Sequence, residues 1–272
     1  MTKNIVIVWY FARNLYKIRF MLKAMALREL KATYVGSFFG FSWAVLNPLC
    51  QIAIYGVVFG FFLKGTPPPQ YGTKSFFLYL VTGLIPWQFF AQTVGASSTV
   101  LLSYNNLVKR AVGFPCEVLP IVSVISNLVS QLVSIGLLFA IVIAFTHRVS
   151  PYMSLVFVYL FFAVIICVGI GWMLSSLTVF LRDIPQVIGL ILTGMFFFTP
   201  ICYSPSMVPA KVLFVMKLNP FYHVIEGYRF ACLAGRPLPM LDMAYLGISS
   251  VLIAGIGGMF FRKLKPEFAE VM

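Results

Sequence analysis

The stretch VFLRDIPQVIG, residues 179–189, sets one opposed pair of charges between two long apolar runs. Arg182 and Asp183 are the only full charges between Arg148 and Lys211. The flanking windows Val149–Leu181 and Ile184–Ala210 carry none. Each exceeds the roughly 20 residues that a helix needs to cross a bilayer. The pair therefore reads as a tight turn between two membrane spans, where the charges emerge into water.

The same test applied outward finds four more charge-free windows: Ala32–Leu63, Ser75–Val108, Val118–His147 and Met243–Phe261. The expectation is an all-α polytopic membrane protein with six transmembrane helices, forming a single transmembrane domain over residues 1–272. Composition agrees. The chain is 61% hydrophobic and 10% charged, against roughly 25% charged residues in soluble domains. A soluble fold cannot hide that much apolar surface. In lipid the backbone must satisfy its own hydrogen bonds, which leaves helices as the spanning form here.

The formal charge is +13, from 20 Lys and Arg against 7 Asp and Glu. In a membrane chain this balance concerns topology and anionic headgroups before nucleic acid, and no nucleic-acid partner is expected. With the N-terminus inside, thirteen basic residues fall in cytosolic segments and seven in outer ones, so both termini are expected in the cytosol. The five cysteines show no metal or redox spacing. Cys202 and Cys232 share a predicted outer side, which permits a disulfide without requiring one. The apolar stretch Ile5–Phe11 is too short for a cleavable signal.

Residues 9–31 read as an amphipathic helix in the membrane interface. Phe11, Leu15, Ile18, Leu22 and Met25 form one stripe, with Arg13, Lys17, Arg28 and Lys31 opposite. It serves as a basic anchor or as a docking element. Residues 200–241, between the fifth and sixth spans, are too apolar for a solvated loop and are broken by Pro200, Pro205, Pro209 and Pro220. Half-helices re-entering the membrane from outside and lining a pathway account for this pattern. A pair of helices lying on the outer leaflet is the alternative.

Absences narrow the chemistry. There is no GxxxxGK[ST] phosphate loop, so ATP is not expected to bind this chain. No acidic residue lies in a predicted span, where ion-coupled carriers place theirs. Asp183 and Asp242 stand alone. His147 and His223 are far apart, each at a span edge or in a loop, where a polar cap is the commoner role than a ligand. Neither a catalytic residue nor a metal site is expected. Energy for directed transport would have to come from another subunit. The cytosolic loop SYNNLVKRAVGFPCE (103–117) is too apolar to hang free and could be a short helix docking in a partner's groove. The alternative is a continuation of the second span. A stand-alone carrier or channel for a small solute, and a membrane enzyme acting on polyprenyl lipids, are the competing functions.

Six segments occur in register: LRELKATYVGSFFGFSWAVLNP (27–48), GLIPWQFF (83–90), NLVKRAVGFPCEVLP (106–120), VFLRDIPQVIG (179–189), FFFTPICY (196–203) and LNPFYHVIEGYR (218–229). Together they resemble the permease subunit of bacterial ABC transporters that export lipid-linked polysaccharides, a family that includes O-antigen, capsule and wall teichoic acid exporters. The resemblance implies two permeases paired with two copies of a separate ATPase subunit, which holds the ATP and Mg. It implies a channel between the two permeases and a glycan on a polyprenyl diphosphate as cargo, moved outward across the inner (plasma) membrane. It also implies that the N-terminal helix and the 103–117 loop meet the ATPase, through Arg28, Asn106, Lys109, Arg110 and Phe114.

Other residues suit such cargo. Aromatic rings accept the C–H faces of sugars, and Trp43, Tyr55, Trp87, Phe89, Phe90, Phe196, Phe197, Phe198 and Tyr203 are candidates for a channel lining. Facing lipid or the interface is the alternative for each. Arg13, Arg19, Lys23 and Arg28 near the inner leaflet suit a diphosphate, or more generally anionic lipid headgroups. Arg182 and Asp183 are expected to hold their turn by a salt bridge or a helix cap, rather than by touching the ATPase.

Overall fold

The computed structural model describes residues 13, 16–34, 36–62, 65–110 and 114–268. Phe11, Leu15, Ala111, Val112 and Gly113, which figure in the sequence patterns above, lie outside them, as do the side chain of Arg110 and the last four residues.

Among the described residues the chain is helical, without strands. The helices are α1 (Arg19–Tyr34), α2 (Trp43–Tyr55, continued by a wide π-type turn Gly56–Phe62), α3 (Phe76–Ser103), α4 (Asn105–Arg110) and α5 (Val118–Thr146). Then follow α6 (Leu155–Phe180), α7 (Ile184–Phe198), α8 (Ala210–Lys217), α9 (Pro220–Arg229, continued by a π-type turn Phe230–Ala234) and α10 (Met240–Leu264). By length and composition, four of these segments can cross a membrane: Phe76–Ser103, Val118–Thr146, Pro151–Phe180 and Met240–Glu267. The windows expected to hold the first and fifth spans contain shorter apolar helices, Trp43–Phe59 and Ile184–Phe198.

α3 is the centre of the bundle. Every residue from Leu78 to Phe90 is buried, as befits a helix that is apolar on all sides. It packs on α5, α6, α7 and α9. Its entry is fixed by Ser75, whose hydroxyl accepts the Leu78 N–H, a cap that Ser makes readily. α5 ends at His147, which sits in the left-handed region (φ 51°) and donates its N–H to the Ile143 carbonyl at 2.8 Å. His147 is thus a polar stop to the second long span, the role its place at a span edge suggested.

α6 and α10 pack along their length, and small residues set how closely they approach. A Cβ added to Gly257 would run into the Gly169 carbonyl, 2.8 Å from its carbon and closer still to its oxygen. One added to Gly169 would lie 2.7 Å from the Cα and N of Ala254. Small residues at helix crossings are the usual device for close packing in lipid, where burial of apolar surface drives little association.

Two ends of the bundle gather the segments that the sequence assigned to opposite sides. At one end Val100, Leu101, Cys116, Leu119, Val179, Phe261 and Phe268 form a buried cluster, with Phe114 and Val108 packed against it. There Lys265 pairs with Glu117 at 2.6 Å, and the Trp172 indole donates to the Glu117 carbonyl at 2.8 Å. At the other end lie Tyr71, Tyr79, Pro200, Tyr203 and Arg229.

The turn at Arg182 and Asp183 differs in detail from expectation. Asp183 does occupy the N-cap position of α7, but its side chain makes no capping hydrogen bond. The ion pairs among the described residues do not include Arg182 with Asp183. Both side chains are exposed. Water competes for each of them, and the Ile184 N–H to Leu181 carbonyl bond (3.2 Å) closes the turn through the backbone instead. Cys202 and Cys232 are buried free thiols.

Candidate functional site: an amide-lined cavity and a buried ion pair

Three apolar helices each carry a pair of amides one turn apart: Asn47 and Gln51 on α2, Gln88 and Gln92 on α3, Asn127 and Gln131 on α5. At i,i+4 each pair shares a face, and packing turns the three faces toward one another. Gln51 donates to Asn47 Oδ1 at 3.0 Å, and Gln88 donates to Gln51 Oε1 at 2.7 Å. Asn127 donates to the Ser123 carbonyl at 2.8 Å, and Gln131 to the Tyr228 hydroxyl at 3.4 Å.

Between these helices and α1 lies a cavity of about 570 Å³, lined by Glu29, Leu30, Thr33, Ser37, Trp43, Asn47, Gln92, Ala96, Ser126, Asn127 and Ser130. A smaller pocket of about 30 Å³ adjoins it and adds Gln88, Phe89, Gln131 and Ser134. Polar groups in a spanning bundle are expensive unless satisfied, and their concentration at one place marks function more often than structure. Gln92 is exposed to the cavity and makes no hydrogen bond among the described residues.

α1 closes one side of this cavity. Leu22 and Ala26 are buried against Val118 and Val122 of α5, with Ile18, Met21 and Met25 packed around them. The stripe expected at Ile18, Leu22 and Met25 is therefore the packed face of α1. Glu29 continues that face. Its Oε1 accepts the Ser123 hydroxyl at 2.8 Å, while Oε2 is buried without a partner. Burial pushes the Glu29 carboxyl above its ordinary value, and the Ser123 bond pulls it back less. Its ionised form is therefore a liability that Glu29→Gln removes. The variant should melt at higher temperature than the parent in detergent at about pH 8. The difference should fade as the pH falls toward the ordinary carboxylate value of 4.5, where the parent side chain is protonated too.

The other end of the bundle holds a buried ion pair. Arg229, wholly buried, donates to Glu226 Oε1 at 2.9 Å and to the carbonyls of Pro200 and Ile201 at 2.8 and 3.2 Å. Its guanidinium lies 3.7 Å from the centre of the Tyr79 ring. Tyr71 donates to Glu226 Oε2 at 2.5 Å, and Tyr79 donates to the carbonyls of Pro200 and Tyr203. Gly83 makes room, since a Cβ there would stand 2.8 Å from the guanidinium. Asn219 starts α9 by accepting the Phe221 N–H at 3.0 Å, and Pro220 follows at N1. Phe221 stacks on Phe90 at 4.2 Å between ring centres. α9 thus runs along α3 from the level of Phe90 back toward that of Tyr79, a rise from Phe221 to Arg229 of roughly 12 Å at 1.5 Å per residue.

The sequence candidates divide. Trp43 and Phe89 line the cavities. Trp87 and Phe90 are buried in the core against Phe196 and Phe221. Tyr55 packs on Phe59 and Phe196. Phe197 and Phe198 are exposed on α7, and Tyr203 donates its hydroxyl to the Phe197 carbonyl. Arg13, Arg19, Lys23 and Arg28 are exposed, and Arg19 lies over the Tyr16 and Phe20 rings. Asn106 and Lys109 are exposed on α4, while Phe114 is half-buried. The amide pairs and the Glu226–Arg229 pair escape a search for full charges within spans. The i,i+4 spacing of amides in apolar runs is the signal available for the first.

Comparison with known proteins follows the same lines. Residues 21–233 match the profile of a family described as ABC-2 type transporter. An O-antigen export system permease protein, RfbA, of Klebsiella pneumoniae is 29% identical over 258 residues, 93% of this chain and 95% of the relative. Its namesake in Myxococcus xanthus is 28% identical over 261 residues, 95% of this chain and 97% of the relative. The polysialic acid transport protein KpsM of Escherichia coli is 22% identical over 242 residues, 89% of this chain and 92% of the relative.

Proposed function

This chain belongs to the ABC-2 type transporter family, and from that premise we propose that it is the permease half of an ATP-driven exporter of lipid-linked polysaccharide of O-antigen type. The observation that carries this reading is end-to-end similarity to O-antigen export permeases, coupled with a cavity whose lining suits sugars. Amides offer a donor and an acceptor side by side, as hydroxyls need, and Trp43 offers a flat apolar face. Export of a capsule polysaccharide is the neighbouring reading, favoured by the likeness to a polysialic acid transport protein.

In this proposal the permease spans the inner membrane six times with both termini in the cytosol. α2 with its following turn is 20 residues, Trp43 to Phe62, long enough for a bilayer core of about 30 Å. α8 and α9 form the re-entrant outer segment, a reading supported by the course of α9 along α3. Two copies enclose the channel, with the exposed Phe197 and Phe198 available to it. Two copies of an ATPase subunit bind and hydrolyse ATP with Mg. They dock on α4 and the exposed basic face of α1, where the polyprenyl diphosphate headgroup also meets Arg13, Arg19 and Lys23.

The test is co-expression with the ATPase subunit. The two should co-purify, and inverted membrane vesicles should take up lipid-linked glycan only when ATP is supplied. Uptake by vesicles that contain this chain alone sinks the reading in favour of a stand-alone carrier. Lys109→Glu together with Arg110→Glu should weaken co-purification by about tenfold or more, as reversal of two interfacial charges does, while membrane insertion persists. Undiminished recovery of the ATPase removes α4 from the docking surface.

A further inference from the structure

We infer that the amide-lined cavity selects uncharged, hydroxyl-rich glycan units and rejects polyanionic ones, with Glu29 enforcing the choice from the α1 side. This deepens the export reading and rests on it. The lining contributes neutral hydrogen-bonding groups: the amides of Asn47, Gln92 and Asn127, the hydroxyls of Thr33, Ser126 and Ser130, and the face of Trp43. Among the described residues no Lys or Arg lines either pocket. The basic side chains of α1 at Arg19, Lys23, Arg28 and Lys31 are exposed and lie outside the lining. Among the described residues the one ionisable carboxyl in the wall is that of Glu29.

That chemistry has a direction. A sugar hydroxyl can give a hydrogen bond to one lining amide or hydroxyl and accept one from another, so a neutral unit satisfies the wall without meeting a charge of its own sign. A carboxylate or phosphate on the glycan brings a second negative charge near a partly desolvated carboxylate, with no Lys or Arg among the described lining residues to offset it. At about 570 Å³ the cavity falls within the roughly 300–1,000 Å³ of ordinary ligand sites. The diphosphate of a lipid-linked substrate must then stay outside, at the exposed cations of α1, while its sugars enter.

The full-length chain in lipid nanodiscs can be titrated with two probes of equal length, a neutral malto-oligosaccharide and an oligogalacturonate. Saturation-transfer NMR reports the binding. The neutral probe should bind about tenfold more tightly, equivalent to about 1.4 kcal/mol. Glu29→Gln should shrink that ratio to under about threefold. Gln92→Leu should weaken the neutral probe by about fivefold. Because Gln92 has no hydrogen-bond partner among the described residues, the variant should keep the parent's melting temperature. Equal binding of the two probes, binding of neither, or a ratio unmoved by Glu29→Gln overturns the inference. If it falls while the ATPase still co-purifies and vesicles still import lipid-linked glycan, the export reading stands without it. If those two assays fail while the probes still separate, the export reading is what falls.

Discussion

An Arg229→Leu chain should lose about 3–5 kcal/mol of stability, the range found when one partner of a buried ion pair is removed. Glu226 would be left with Tyr71 as its partner, the Ile201 carbonyl would lose its Arg229 donor, and the Pro200 carbonyl would keep only Tyr79. The loss should appear in detergent as a lower melting temperature and as new proteolytic cuts within 199–239, the segment these bonds hold to α3. Arg229→Lys should fall between the two, because one ammonium cannot serve a carboxylate and two carbonyls with the geometry of a guanidinium. Replacing both partners, Glu226→Leu with Arg229→Met, should be less damaging than either single change. A single variant as stable as the parent would mean that the pair is not buried in the membrane-embedded protein.

The second large effect is expected at the α6–α10 crossing. Gly257→Val drives its first side-chain atom into the Gly169 carbonyl, so the helices must separate. Overpacking of this kind costs about 1–3 kcal/mol and occasionally more, and here the obstacle is backbone, which has no alternative rotamer. Gly255, two residues away on α10, has open space around it, with nothing within 4 Å of where a Cβ would stand. Gly255→Ala should therefore leave the melting temperature where it was, or raise it slightly. If the two substitutions behave alike, the crossing is not this close.

The long spans were legible because a bilayer demands charge-free windows. Val118–His147 and Ser75–Val108 anticipated α5 and α3 within a few residues. The packed face of α1 was legible from the helical repeat of Ile18, Leu22 and Met25. Other features depended on partners that no local pattern names. Glu226 and Arg229 fell in a segment assigned to the outer side, and only the tertiary fold brings Tyr71, Tyr79 and Pro200 around them. The cavity arises from three amide pairs that are ordinary singly, and it exists because α2, α3 and α5 turn those faces together. Trp87 and Phe90 looked like channel residues by type, but α9 covers them.

The glycine crossing also bears on motion. Helices seated backbone to backbone cannot slide or roll past each other without first lifting apart, and a packed contact of this kind is held or lost rather than gradually deformed. Any alternation between open and shut forms must therefore carry α6 and α10 as one lever. α2 and α7 are the helices with freer outer faces, since their Ile54, Val57, Leu190 and Ile191 are exposed. A pathway that widens by swinging those two helices could pass a bulky polymer while its frame stays still.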